Sequence, residues 1–221
     1  MKKYNVIGVM SGTSVDGLDI SFCRFIKNKK WKYEILNSKT YHFSNFWKKT
    51  LINLHLENEK KIKEIDIEFA KHISDKINHF VEKNKIKADI ISSHGHTVFH
   101  DPSKKITLQI GSGKVINELC KITTVNNFRK IDIDLGGQGA PLVPIGDKLL
   151  FQQYKYCLNI GGFANLSVKA NNSIKAFDIC PANIALNFYC RKLGREFDNN
   201  GEISRSGNII NCLYDELNKI Q

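Results

Sequence analysis

The sequence predicts a duplicated α/β fold whose second copy is incomplete. Two observations lead there. A strand, a glycine-bearing turn, two more strands and a helix follow one another from residue 4, and the same order returns from residue 156. The first copy fills the chain to about residue 147, so an equal second copy starting near 155 would run to roughly residue 300, whereas the sequence has 221 residues. The expected division is a first domain over 1–147 and an incomplete second over 148–221.

Each element has its own signal. Segments at about 4–10, 18–26 and 32–41 carry the Val, Ile and Phe of strands. An amphipathic helix follows, in which Ile62, Ile65, Phe69, Ile73, Ile77 and Phe80 recur at spacings of three and four. Next come a buried strand ending at Ile90-Ile91-Ser92-Ser93, an alternating strand on Ile106, Leu108 and Ile110, a short helix near 113–120 and a strand over 122–126. Beyond a glycine-rich loop at 136–144, the second copy has strands at 156–160, 163–169 and 174–178. A helix then runs from Pro181 to a stop at Gly194, and a helix-like segment lies near 207–219.

Composition narrows the class. With 42% hydrophobic residues the chain can bury the core of one large domain or two small ones. Its six cysteines, Cys23, Cys120, Cys157, Cys180, Cys190 and Cys212, are scattered through mostly apolar segments without a CxxC pair, which argues against a disulfide framework or a zinc site and for reduced core thiols. No apolar run reaches the ~18 residues of a membrane span, and the start passes directly into a strand without a signal-peptide core. The expected compartment is therefore the cytoplasm, with no membrane partner. A net charge of +11 raises the question of nucleic acid, but the lysines cluster at 27–32, 48–49, 60–63 and 83–87 without Arg clusters or interleaved aromatics. Solvated faces explain them, and the positive field could steer anionic ligands.

The chemistry-bearing residues begin at the first turn. Ser11-Gly12-Thr13-Ser14-Val15-Asp16-Gly17 offers backbone N–H groups, hydroxyls and a carboxylate between two strands. Such a turn is either a plain hairpin or a cradle for phosphate oxygens in which Asp16 or Asp19 holds Mg²⁺. Further along stand His94-Gly-His-Thr-Val-Phe-His100, Thr107-Leu-Gln-Ile-Gly111, Asn127-Phe-Arg129, Gly136-Gly-Gln-Gly-Ala-Pro-Leu-Val-Pro144, Asn159-Ile-Gly-Gly-Phe-Ala-Asn165 and Phe177-Asp-Ile-Cys-Pro-Ala-Asn183. His94, His96, Thr97 and His100 are expected just past the carboxyl end of a buried strand, where α/β proteins place ligands. The spacing H-x-H-x-x-x-H does not favour a metal, which leaves hydrogen bonding to hydroxyls or loop packing. Gln138 offers both a donor and an acceptor. Asp178 reads either as a ligand to Mg²⁺ or water, or as a helix N-terminal carboxylate.

In this order and spacing the motifs closely resemble those of the anhydro-N-acetylmuramic acid kinases, sugar kinases of the actin/hexokinase/Hsp70-like ATPase superfamily, over residues from about 5 to about 210. The resemblance implies an actin-like (ribonuclease H-like) duplicated fold, in which each copy's hairpin grips phosphates from one side of a cleft. It implies ATP and Mg²⁺ as cofactors and phosphorylation of the sugar's 6-oxygen while water opens the 1,6-anhydro bridge, a step of peptidoglycan recycling. Ser11, Gly12, Thr13, Ser14, Asp16 and Gly17 match the first phosphate loop, and Gly161, Gly162 and Asn165 the second. His94, His96, Thr97, Gln138 and Asn183 fall on the sugar side, Asp16 and Asp178 are the metal candidates, and a homodimer is left open. In the family the part absent here supplies the adenosine-contacting glycine motif and some sugar contacts, so the chain reads as a fragment or as a split or degenerate gene product. One departure stands out. The family pattern is Asp-Phe-Arg where this chain has Asn127-Phe128-Arg129, and that Asp is the general base for ring opening. A neutral amide cannot take the proton, so the alternative to an active kinase is a binding remnant; Asp132, Asp134 and Asp147 are the nearby carboxylates that could substitute. Arg129 keeps the planar fork that clamps phosphate or carboxylate.

Overall fold

The computed structural model describes residues 1–170 and 173–219; the expected second domain thus includes four positions, 171–172 and 220–221, outside the described residues. The chain forms a mixed α/β fold that divides into two compact units, one comprising Met1–Lys155 with Val168–Lys175 and the other Tyr156–Ser167 with Ala176–Gln221.

In the first unit β1 (Lys2–Ser11), β2 (Gly17–Lys27) and β3 (Trp31–His42) form an antiparallel meander. Helix α1 (Asn45–Asn53) follows, capped by Ser44 Oγ accepting from Trp47 N. Helix α2 (Glu59–Asn84) opens on Asn58, whose Oδ1 accepts from Lys61 N at 2.9 Å, and ends on Lys85 in the left-handed region. Its buried face carries Ile62, Ile65, Phe69, Ile73, Ile77 and Phe80, which pack with Ile7, Val9, Leu18 and Ile20 of the meander in one core. Strand β4 (Ile90–Asp101) pairs parallel with β1 along one edge. Its other edge is shared: β5 (Ile106–Ile110) runs antiparallel to the second half of β4, and β6 (Thr123–Val125), after α3 (Gly113–Cys120), runs parallel to the first half. The sheet order is β3-β2-β1-β4-β5, with β6 on β4. Two short helices follow, α4 (Phe128–Asp134) and α5 (Val143–Leu150). Lys169 Nζ closes the end of α5 by donating to the carbonyls of Asp147 (2.9 Å) and Phe151 (2.7 Å).

A second sheet has the order β7 (Tyr156–Ile160), β8 (Phe163–Ala170), β9 (Ser173–Pro181). Helices α6 (Asn183–Lys192), α7 (Glu202–Ser206) and α8 (Asn211–Leu217) complete the second unit.

Several expectations are corrected. The buried strand does not stop at Ser93: β4 continues through His94 to Asp101, because β5 pairs with its second half. Pro181 ends β9, and α6 starts at Asn183. The 207–219 segment contains only α8, while α7 lies before it. Helices α1, α4 and α5 were not anticipated; in α1 the exposed Phe46 and Ile52 blur the apolar period, and α4 and α5 are too short to show one. The thiols are free, yet of the six only Cys190 is buried, because the apolar segments that hold Cys180 and Cys212 are themselves exposed.

Candidate active site

The turn between β1 and β2 is built from within. Val15 N donates to Gly12 O (3.1 Å), while Asp16 Oδ1 accepts from Ser14 Oγ (2.8 Å) and Gly17 N (3.1 Å). Val15 takes φ 55°, a region that costs a β-branched residue of order 1 kcal/mol or more, and its side chain is 4% exposed in the core. Burial of that side chain holds the strained turn in place, with Thr13, Ser14 and Asp16 exposed at its rim. Gly12 has an unstrained φ, and a Cβ there would meet only Ser14 Oγ at 3.4 Å and Ser14 N at 4.0 Å. The fold therefore does not require glycine at this position, whereas a backbone that anionic oxygens must approach does.

The base of the turn is tied to the histidine strand. Ser11, at 2% exposure, and His96, at 3%, are in register across β1 and β4, and Ser11 Oγ lies 3.0 Å from His96 Nδ1 as its hydrogen-bond partner. Burial, with a smaller contribution from His94, pushes the His96 pKa down to about 4, so the imidazole is neutral at physiological pH. Between the two histidines Gly95 takes φ 70°, where an added Cβ would strike the carbonyl oxygen of Ile110. This bend is where β4 passes from its pairing with β6 to its pairing with β5.

From His94 the contacts lead to α4. Arg129 Nε donates to His94 Nε2 (3.0 Å), and Arg129 Nη1 donates to Gly139 O (2.7 Å). Asp132 completes the hold: its carbonyl accepts from Gly137 N (2.7 Å) and its Oδ2 from Gly139 N (2.7 Å). A Cβ on Gly137 would strike the Asp132 carboxylate, and one on Gly139, which has φ 64°, would meet Ile133 at 2.8 Å. Gln138, between these two glycines, is exposed. Asn127 is exposed as well; it starts α4 in the left-handed region (φ 63°, ψ 36°), which Asn and Asp tolerate best among non-glycine residues, and its side chain caps nothing. Of the nearby carboxylates, Asp132 is engaged with the glycine loop and Asp134 with Lys130, at 2.7 and 2.8 Å. Asp147 is buried on α5.

The structure thus joins Ser11 to His96 and His94 to Arg129 and the Gln138 loop, all in the first unit. Thr97 is opposite Gln109, a residue that sequence reasoning did not single out beyond its place in the Thr107–Gly111 motif. Gln109 Oε1 is buried without a hydrogen-bond partner, while its Nε2 donates to Thr107 Oγ1 at 2.8 Å. Asp66 was also missed; its Oδ1 accepts from Gly111 N at 2.7 Å and fixes the end of β5, and nothing in the pattern of α2 marks it. In the second unit Gly162 O accepts from Ala182 N (2.8 Å) and Ile184 N (3.2 Å), and Gly161 O from Asn183 N (3.1 Å), so the glycine turn and Asn183 form one cluster. Asn165 lies on β8, and Asp178 is exposed within β9, five residues before the first residue of α6.

The sequence model of the anhydro-N-acetylmuramic acid kinase family matches residues 4–220. The chain belongs to that family. Among curated relatives, the anhydro-N-acetylmuramic acid kinase of Pelagibacter ubique is 34% identical over 99% of this chain and 64% of its own length. That of Acinetobacter baylyi is 36% identical over 96% and 58%, and that of Haemophilus influenzae 33% over 98% and 59%. The chain therefore spans about three fifths of the length of the curated kinases it matches. Among the described residues no helix is long and apolar enough to cross a membrane. No group of three His, Cys, Asp or Glu side chains is placed to hold a metal ion there either, and a Mg²⁺ carried mainly by phosphate oxygens and one carboxylate needs none.

Proposed function

We propose that this chain carries the phosphate- and sugar-binding half of an ATP-dependent kinase that converts 1,6-anhydro-N-acetylmuramic acid to N-acetylmuramic acid 6-phosphate in cell-wall recycling. One observation carries the reading: hydrogen bonds link the β1–β2 turn to β4 through Ser11 and His96, and β4 to the Gly136–Gly139 loop through His94 and Arg129, so three motifs far apart in sequence form a single network. The relatives are named anhydro-N-acetylmuramic acid kinases, and the strand, glycine turn, strand, strand, helix order of each half supports an actin-like duplication.

The residues present suit MgATP. Exposed Thr13 and Ser14 hydroxyls surround a glycine with room for phosphate oxygens, and the exposed Asp16 carboxylate sits at the rim to hold Mg²⁺. When bound, MgATP supplies the transferable phosphoryl group and offsets its charge. Gly161, Gly162 and Asn165 are the second phosphate contact and Asp178 the second metal candidate. In the first unit His94, Thr97 and Gln138 are the sugar-side candidates, with neutral His96, almost wholly buried like its partner Ser11, fixing the base of the turn; in the second unit Asn183 is the sugar-side candidate. Asn127 lies where the family's pattern has its proton acceptor. Its amide can hold and orient the attacking water but not take its proton, so ring opening proceeds without a strong base at that atom.

Asn127 also favours a second reading, in which sugar and nucleotide bind without turnover. Incubation with MgATP and 1,6-anhydro-N-acetylmuramic acid, followed by mass spectrometry of the sugar and calorimetry of both ligands, separates the two. The kinase reading predicts a 6-phosphorylated, ring-opened product. Binding without product selects the second reading, and absence of both binding and product overturns the proposal.

A further inference from the structure

The Arg129–His94 contact fixes a protonation state by geometry. A guanidinium only donates, so His94 Nε2, which accepts from Arg129 Nε at 3.0 Å, carries no proton. The imidazole proton is then on Nδ1, where Gly95 O lies 3.0 Å away to accept it. On its other branch the guanidinium holds Gly139 O at 2.7 Å, and Asp132 Oδ2 holds Gly139 N at 2.7 Å. Both backbone polar groups of Gly139 are thus held by α4 side chains, and only one of those side chains is tied to β4.

We infer that His94 and Arg129 are a positioning pair: in its Nδ1-protonated neutral form His94 anchors Arg129, and Arg129 in turn seats the loop that carries Gln138 and the start of α4 that carries Asn127. Protonating Nε2 removes the acceptor and sets two cations against each other, releasing the loop. The titratable and charged groups around this clasp are Arg129 and Asp132 from α4 and its loop, and His96 and His100 from β4. Burial first, then the Arg129 charge, hold the His94 pKa below its ordinary value against the opposing effect of the Gly95 carbonyl, so the clasp is closed at neutral pH and opens on acidification. Gln at position 94 would keep an acceptor for Arg129 that does not titrate.

The consequence for turnover rests on the kinase reading, but the clasp itself does not, and the experiment separates them. Nitrogen-detected NMR of the histidines in the unmodified chain should show His94 as the Nδ1–H tautomer at neutral pH, and an Nε2–H tautomer would overturn the inference. Amide exchange at Gly139, expressed as protection relative to the unfolded rate and referenced to Gly111, should fall on the order of tenfold as pH drops from neutral to below the ordinary histidine value of 6.5. His94→Gln should remove most of that fall, while Arg129→Lys, which cannot bridge both partners, should lower Gly139 protection at every pH and flatten its pH dependence, the bond from Gly139 N to Asp132 Oδ2 remaining. Equal pH dependence in His94→Gln and the unmodified chain would contradict the proposal. If the kinase reading holds, His94→Gln also flattens the acid limb of kcat/KM for the sugar; if no protein turns over, exchange and tautomer still decide the clasp.

Discussion

At the scale of the residue, the proposed function turns on Asn127, which stands where the family's pattern has Asp. Its left-handed backbone is open to Asp at no added strain, and its exposed side chain makes no cap, so Asn127→Asp alters chemistry with little effect on folding. On the kinase reading, the variant should open the anhydro ring up to ~10²-fold faster with little change in KM, because a base acts in the transition state and not in binding. Steady-state rates with MgATP and the anhydro sugar check this; equal rates would mean that another group takes the proton. Asp132 and Asp134 are poor substitutes, since their carboxylates already hold Gly139 N and Lys130. The histidines carry a second consequence. His96, with its pKa pushed from 6.5 to about 4, and the half-buried His72, pushed down chiefly by burial, are neutral when folded and gain protons on unfolding. Between pH 6.5 and about 4 the unfolded chain therefore binds more protons. Stability is full above 6.5 and falls as pH drops, by about 1.4 kcal/mol per unit for His96 alone. Urea midpoints across this range should show the fall, and His96→Gln should reduce it.

At the scale of the element, β4 sets the geometry of the site through one bend. Gly95 combines a left-handed φ with a backbone oxygen where a side chain would begin, whereas Gly136, at φ 88°, has no atom within 4 Å of an added Cβ. Gly136→Ala pays only for its backbone conformation, about 1 kcal/mol, while Gly95→Ala adds a clash that β5 must move to relieve, for a total of roughly 2–4 kcal/mol. Thermal melts of the two variants should separate accordingly, and equal shifts would contradict this account of the bend. Much of β4 was legible as an apolar run, but its extension through the histidines was not. That half is held by pairing with β5, and pairing across a sheet leaves no local signal in a segment rich in His, Gly and Thr. The long period of α2 was legible for the opposite reason, since six apolar positions on one helix face state their own burial. The residues of the β1–β2 turn were legible as a cluster because Ser, Gly, Thr and Asp lie together. The Arg129–His94 contact spans 35 positions and no pattern announces it.

At the scale of the whole molecule, the two units differ in how much core each contains. The first buries Ile7, Leu18, Ile20, Phe69, Ile73, Phe80 and their neighbours in one cluster, while in the second only Ala164 and Cys190 are buried hydrophobic residues among those described. There Ile160, Phe177, Ile179, Phe188, Tyr189 and Leu213 are each at least half exposed. So little burial offsets little of the ordering entropy, so the second unit of the 221-residue chain should open first. Limited proteolysis should cut within 176–219 and leave a resistant product close to residues 1–155; uniform digestion would contradict this. The central claim concerns the β1–β2 turn, and the measurement that tests it most directly is calorimetric titration of MgATP into the chain and into Gly12→Val. Gly12 has an unstrained backbone and space for a Cβ, so the variant should keep the fold, as circular dichroism and the melt can verify, yet block the approach of phosphate oxygens. The account predicts measurable MgATP binding to the unaltered chain and its loss in Gly12→Val. Equal affinity in the two folded proteins would contradict the assignment of this turn as the phosphate cradle.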